Sequence, residues 1–165
     1  MSPENACWSN LGQCGREEDV PDYDVVLPVS WWARDLGRAR GLFEVFGQRP
    51  ASLTDALCVE ARFDPFPGLV WLSVNLADAP NPPPARWRRR GHDALQLRLQ
   101  FTGCRSVRVR GRLEAGGCPV DVHSSDEGIR IRLKGDRLDA DFLADSGLIS
   151  RMVPFRRSED FGSLD

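Results

Sequence analysis

The fold is decided by the stretch from Ile129 to Phe142, which reads Ile-Arg-Ile-Arg-Leu-Lys-Gly-Asp-Arg-Leu-Asp-Ala-Asp-Phe. Apolar and charged residues alternate on both sides of Gly135-Asp136, and this period of two is typical of half-buried β-strands. Glycine followed by aspartate favours a type II′ turn, so the stretch predicts a β-hairpin. Folding about that turn pairs Leu133 with Leu138, Ile131 with Ala140, Ile129 with Phe142, Arg132 with Asp139 and Arg130 with Asp141. One face is then apolar and the other is charge-paired, and a slip of one residue would lose both.

Further strands are predicted on both sides of this hairpin. Strands are predicted in segments 57–63, 69–76, 95–101, 107–113, 119–123 and 148–155, several of them from the same alternation, which gives about eight strands in all. Ahead of them, a helix is predicted from the spacing of Leu36, Ala39, Phe43 and Phe46, with Ser30 as its N-cap and Gly47 at its left-handed end. Because short turns join successive strands, the sheets are expected to be antiparallel. The predicted fold class is mainly β (α+β): an antiparallel two-layer sandwich or open barrel of about eight strands with one flanking N-terminal helix.

Two of the strand segments lead to more specific predictions. A hairpin from Leu95 to Leu113 would place Arg98 opposite Arg110, and like charges in that arrangement are unfavourable. A bulge or a neighbouring carboxylate is therefore expected there. The segment 69–76 is apolar on both faces through Trp71, which predicts a central strand with Trp71 in the core.

The chain is predicted to contain one β-rich domain, over residues 29–157. It follows an irregular N-terminal arm over residues 1–28 and precedes a C-terminal tail over residues 158–165. The arm carries an acidic cluster, formed by Glu17, Glu18, Asp19, Asp22 and Asp24. A solvated segment is the simpler interpretation of this cluster, and an acidic docking segment is the alternative.

The composition argues against several functional classes. The net charge of −2 gives no whole-molecule attraction to nucleic acid or to an anionic membrane. The five cysteines are odd in number and lack a CxxC pair, which argues against a disulfide framework and a structural zinc site. No secretory signal is evident, and no apolar run approaches the roughly 20 residues that cross a bilayer. The sequence predicts no membrane association and a reducing compartment, most simply the bacterial cytoplasm.

The residue types used in catalysis form no convincing set. His123-Ser124-Ser125-Asp126 contains the letters of a catalytic triad, but its members are sequential, and a turn is the simpler interpretation. Asp121 and His123 share a strand face without an evident third metal ligand. A hydrolase using His123 with Asp121 or Asp126 is kept as a third hypothesis. We expect no enzymatic activity, no metal and no cofactor.

Two features could bind a partner. The first is Trp87-Arg88-Arg89-Arg90, which combines residue types that dominate protein interfaces. The second is an arginine stripe, formed by Arg105, Arg108, Arg110 and Arg112. Together with Trp87, the stripe could follow a phosphate backbone while a base stacks on the indole, which defines a single-stranded nucleic-acid-binding module as an alternative. A solvated strand face is the competing interpretation of the stripe.

Several motifs resemble the immunity protein fifty family, small bacterial proteins linked to polymorphic toxin systems. The resemblance begins with Leu42-Phe43-Glu44-Val45-Phe46-Gly47 and Pro50-Ala51-Ser52-Leu53-Thr54-Asp55-Ala56, and the alternating strand that follows. It continues through Trp87 and the Leu95–Phe101 strand and covers about residues 30–155. The sequence differs from the family where Thr54-Asp55-Ala56-Leu57 stands in place of His-Asp-Ala-Glu.

The resemblance implies an immunity-protein-like domain that binds a cognate toxin domain and neutralises it by occlusion, without catalysis. Asp55 is the residue that the family pattern singles out, although capping of the turn into the first strand explains it equally well. The predicted partner-binding residues are Trp87, Arg88, Arg89, Arg90, Asp55, Arg108 and Arg110.

Overall fold

The computed structural model describes residues 25–157, whose regular structure is mostly β. The strands are β1 (Leu57–Asp64), β2 (Leu69–Asn75), β3 (Ala94–Thr102), β4 (Arg105–Gly111), β5 (Cys118–Ser125), β6 (Gly128–Lys134), β7 (Leu138–Ala144) and β8 (Ser146–Phe155). The two helices are α1 (Ala39–Val45) and α2 (Ala85–Arg89), of which only α1 was predicted. The fold class is confirmed: eight antiparallel strands follow an N-terminal helix. The acidic cluster and the predicted tail lie outside the described residues.

The eight strands form one sheet in the order β4-β7-β6-β5-β1-β2-β3-β8. Its two halves, β4-β7-β6-β5 and β1-β2-β3-β8, are joined through only two residue pairs between β1 and β5, one of which is Cys58 with Cys118. The ring of Phe63 in β1 lies 6.1 Å from the ring of Phe142 in β7, so the halves pack against each other across a shared core. Cys58 is fully buried. Within residues 25–157, no helix is long and apolar enough to cross a membrane.

The predicted hairpin exists as β6 and β7, but its register is wrong by two residues. The observed pairs are Leu133 with Ala140, Ile131 with Phe142, Ile129 with Ala144, Arg132 with Asp141 and Lys134 with Asp139. Gly135 is not in the left-handed region that a type II′ turn requires, and its N–H donates to the carbonyl of Leu138 at 2.9 Å. The two-residue loop is therefore Asp136-Arg137, one residue later than the predicted turn at Gly135-Asp136. A register shift of two residues keeps every side chain on its predicted face, so the alternation of apolar and charged residues does not distinguish the two registers.

The predicted hairpin between β3 and β4 does not form. β3 pairs with β2 and β8, whereas β4 crosses to the other half of the sheet and pairs with β7. This pairing sets Arg110 opposite Asp139, and Arg108 opposite Asp141, which replaces the expected clash between Arg98 and Arg110 with opposite charges. The expected carboxylate is therefore supplied by a strand far along the chain.

The helix is shorter than predicted. α1 begins at Ala39, and its N-cap is Arg38, which has a φ of 65°. Ser30 is therefore not the cap, and Leu36 precedes the helix although it is buried. The predicted left-handed end is confirmed at Gly47, whose φ is 67°.

The segment before α1 covers the outer edge of β8. Gly37 forms an isolated parallel bridge with Leu148, in which its N–H donates to the carbonyl of Gly147 and its carbonyl accepts from Ile149, both at 2.9 Å. The segment fits closely, because a Cβ added at Gly37 would lie 3.0 Å from that of Leu148. Of the two end strands of the sheet, β4 is therefore the one whose outer edge no other segment among residues 25–157 pairs with.

Candidate functional site

Trp87 lies on α2, at the end of the proline-rich loop. Its N–H donates to the carbonyl of Pro84 at 2.8 Å, which closes the first turn of the helix. The Trp87 side chain is only 4% exposed and belongs to the hydrophobic core. Trp87 is therefore not the exposed interface anchor that was predicted, although it contributes to the lining of the groove described next. Its burial fixes α2 to the domain and leaves Arg88, Arg89 and Arg90 exposed at the surface.

An open groove of about 840 Å³ lies between α1, α2 and β8, and we call it the arginine groove. Its charged walls are formed by Arg38, Arg40, Arg86 and Arg151, with Glu44 as the one acidic lining residue. Apolar side chains also line it, including Val45, Ile149, Met152 and Pro154. A groove with apolar lining and guanidinium walls suits a macromolecular partner that presents carboxylates or phosphates.

Two contacts hold the walls of the arginine groove. Arg38 donates from Nη1 to the carbonyl of Ser150 at 3.1 Å, which ties the N-cap of α1 to β8. Arg40 and Glu44 form an exposed ion pair of 3.0 Å along one face of α1. Among residues 25–157, no carboxylate forms an ion pair with Arg86 or Arg151. These two guanidiniums keep their charge available for a ligand.

Arg151 also faces a like charge across the sheet. It pairs with Arg98 in the β3–β8 ladder, next to the irregularity where Ser150 has no paired residue in β3 and its hydroxyl donates to the carbonyl of Arg98 at 2.9 Å. Two arginines directly opposite each other are unfavourable, and an anion bound between them would relieve the repulsion. Arg98 itself lines a second depression, so the basic surface extends from the arginine groove across β8 and β3.

That second depression, of about 250 Å³, lies on the outer face of β1, β2 and β3. The guanidinium of Arg62 sits 5.2 Å from the ring centre of Trp71. Ser73 is buried and donates to a carboxylate oxygen of Glu60 at 2.9 Å. Trp71 is half-buried here, so the prediction that it lies in the core is wrong. Its polar neighbours at alternate positions, Ser73 and Asn75, were the signal that this face is turned outward.

The other predicted binding residues lie elsewhere. Asp55 is exposed, has a φ of 58°, and lines a different cavity of about 630 Å³ with apolar residues that include Leu57 and Phe155. Arg108 and Arg110 are exposed on β4, opposite carboxylates of β7. The structure therefore does not bring the predicted residues together into one site.

Two of the residues considered for catalysis, Asp121 and His123, lie on the exposed side of β5, and Asp126 lies in the turn that follows this strand. Asp121 and His123 are both exposed, and they pair across the ladder with Arg132 and Arg130. Within residues 25–157, no group of three or more His, Cys, Asp or Glu side chains could hold a metal ion. The absence of enzymatic activity stays a prediction.

The charge of the chain is unevenly distributed. Residues 25–157 contain 21 Lys and Arg against 15 Asp and Glu, which gives the described part a net charge of +6. The remaining residues contain one Arg against nine Asp and Glu, a net charge of −8, so the two parts together give the −2 of the chain. The overall acidity therefore belongs to the two ends of the sequence, and the part that the structure describes is cationic.

Comparison with known proteins found no matching family model, no matching curated protein and no matching solved structure. The resemblance of residues 30–155 to the immunity protein fifty family stays a prediction.

Proposed function

We propose that this chain is a binding protein that neutralises a toxin domain by covering it, without catalysis, and that the arginine groove is its contact surface. The observation that carries the proposal is the set of four arginines around a groove of about 840 Å³ with partly apolar lining. The partner is expected to present carboxylates to this surface. Opposite charges accelerate encounter and exclude partners of the wrong sign.

The construction of the groove supports binding without rearrangement. Trp87 anchors α2 in the core, while the bridge between Gly37 and Leu148 and the contact between Arg38 and Ser150 tie α1 to β8. A surface that is already in its bound shape loses less conformational entropy when it binds. Such a preformed surface suits occlusion.

Location in a reducing compartment, most simply the cytoplasm, is part of this proposal. Cys58, Cys104 and Cys118 are free thiols, and Cys58 and Cys118 remain unlinked although they face each other across β1 and β5. Oxidising compartments favour disulfide formation between such pairs.

The first experiment is co-purification of the full chain with the product of the adjacent upstream gene, followed by measurement of the dissociation constant. Reversing two groove charges, with Arg86→Glu and Arg151→Glu, is expected to weaken binding about 100-fold, since each hydrogen bond to a charged group contributes roughly 1.5 kcal/mol or more. The matched control is Arg88→Glu with Arg89→Glu, which makes the same charge change on α2 outside the groove lining. Equal weakening by both pairs would show general charge attraction and would overturn the assignment of the groove. Lack of any toxin-like partner gene would remove the proposed function itself.

A single-stranded nucleic-acid-binding module is the second candidate, and the charge of +6 on residues 25–157 is the observation that favours it. The burial of Trp87 removes the stacking platform first expected for it. The candidate requires salt-dependent binding of oligonucleotides that is weakened by Arg108→Ala with Arg110→Ala. Lack of binding at low salt would exclude it.

A further inference from the structure

β4 is a sheet edge whose outer backbone groups have no partner strand among residues 25–157. The N–H of Arg112 donates to the carbonyl of Arg137 at 2.8 Å, just beyond the end of the β4–β7 ladder. Because hydrogen bonding alternates along an antiparallel strand, Arg110 and Arg108 also direct their backbone groups toward β7. Val109 and Gly111 consequently direct their N–H and C=O groups outward.

The charges across this half of the sheet alternate in sign and end on β4. One row crosses four strands as Asp121, Arg132, Asp141 and Arg108. A second row crosses three strands as Lys134, Asp139 and Arg110. Both rows stop at an arginine on the edge strand, so carboxylates on a further strand would continue the alternation.

The opposite face of β4 leaves apolar surface uncovered. Val109 is 51% exposed although it lies opposite the buried Ala140, and Phe63 is 38% exposed. Both residues line a small cavity of about 90 Å³ between the two halves of the sheet. A strand added beside β4 would place an apolar side chain next to Val109, between its two carboxylates.

We propose that β4 is a docking edge that accepts one short extended strand of a partner protein, in which carboxylates alternate with apolar residues. The backbone of Val109 and Gly111 would supply hydrogen bonds, and Arg108 and Arg110 would select the acidic pattern. The usable run is short, because Ser106, with a φ of 54°, interrupts the pairing of β4 with β7 near its start. A second copy of β4 is disfavoured as the occupant, since it would bring arginines against arginines. This surface is independent of the arginine groove.

The test uses the full chain and a soluble peptide with the pattern Thr-Asp-Val-Asp-Val-Asp-Thr. NMR measures both the binding of the peptide and the amide hydrogen exchange of the full chain. The peptide is expected to bind and to slow exchange at the amides of Val109 and Gly111. Replacing each aspartate of the peptide with asparagine is expected to weaken binding about 2- to 30-fold, as two cross-strand charge pairs predict. In Arg108→Glu with Arg110→Glu, the preference should reverse toward a peptide that carries lysine in place of aspartate.

A second variant tests the backbone contact. Val109→Pro removes an outward N–H and leaves the ladder to β7 intact, so it should abolish peptide binding while the domain stays folded. Arg110→Pro removes an N–H that faces β7 and serves as the matched control, with an expected loss of stability. The charge reversal above gives an answer even if Val109→Pro fails to fold.

Four results would overturn the proposal. The first is equal peptide binding by Val109→Pro. The second is slow exchange of the Val109 and Gly111 amides in the free chain, which would show that the chain already covers its own edge. The third is a dimer that Val109→Pro dissociates, which would make a second copy the occupant. The fourth is an oligonucleotide that binds more tightly than the peptide and whose binding Val109→Pro does not change. This result would show that Arg108 and Arg110 bind phosphate.

Discussion

Replacing Trp87 with alanine is expected to unfold the protein more easily, because the indole is 4% exposed and part of the hydrophobic core. A tryptophan side chain buries roughly 150–250 Å². At about 25 cal/mol per Å², the transfer contribution is roughly 4–6 kcal/mol, which is an upper value because the unfolded chain also buries some surface. Measured truncations of large aromatic residues cost about 3–5 kcal/mol, and we expect a loss in that range.

The assay is thermal and urea unfolding of the full chain followed by far-ultraviolet circular dichroism. For a domain of this size, a loss of about 3–5 kcal/mol lowers Tm by roughly 6–20 °C. The matched control is Arg89→Ala on the same helix, which is exposed and should change stability by no more than about 0.5 kcal/mol.

Unchanged stability combined with lost binding in Trp87→Ala would refute the role of Trp87 as a core residue. If Trp87→Ala unfolded at the same temperature as the unsubstituted chain yet lost its partner, the indole would be a contact residue, as the sequence first suggested. The position of α2 as the wall of the arginine groove would then also be wrong.

Four further outcomes are expected. Burial tends to raise the pKa of Asp78, but hydrogen bonds from Arg49 and a backbone N–H hold this pKa below its usual value. Asp78→Asn should therefore lower the free energy of unfolding by about 1 kcal/mol at pH 7, as measured by urea unfolding. The loss should become smaller as the pH falls through the pKa of Asp78, because the wild-type carboxylate is then protonated. Burial raises the pKa of Cys58 to about 12, so iodoacetamide should leave its thiol unmodified at pH 8 in the folded chain, as checked by mass spectrometry. The same shift makes stability fall as the pH rises from about 9 toward 12, with a slope of at most about 1.4 kcal/mol per pH unit that Cys58→Ala removes. Gly111→Ala should cost more than Gly91→Ala in thermal unfolding, since both glycines have a positive φ, but an added Cβ overlaps a neighbouring carbonyl only at Gly111. Equal losses at the two glycines would contradict the tight approach of β4 to β7.

The secondary structure could be predicted in outline because it follows from local periodicity. Alternation along the chain decides which side chains share a face, and that information is complete within a few residues. The β-rich class was obtained in this way, and the antiparallel pairing followed from the short turns between strands. The face of Trp71 could have been predicted as well, because Ser73 and Asn75 share it and both are polar.

The candidate site could not be predicted, because its parts come from distant positions. Arg38 and Arg40 lie about 50 residues before Arg86 and about 110 before Arg151, and only the tertiary fold brings them to one groove. The signal that was available was the excess of arginine over acidic residues within residues 25–157. It showed that residues 25–157 are cationic, but it did not show where on the surface the arginines lie together.

The sequence by itself therefore determined the class of the fold and the two faces of the β6–β7 hairpin. Only the tertiary structure decided which strands are neighbours. It set the register between β6 and β7, and it paired β4 with β7 instead of β3. The physical reason is that a shift of two residues, or a change of neighbour, leaves every apolar side chain on its own face. The choice depends on the turn at Asp136-Arg137, on the placement of Arg108 and Arg110 opposite Asp141 and Asp139 of β7, and on closure of the shared core. In the stretch from Ile129 to Phe142, the alternation gave the two faces correctly, and the turn decided the partners.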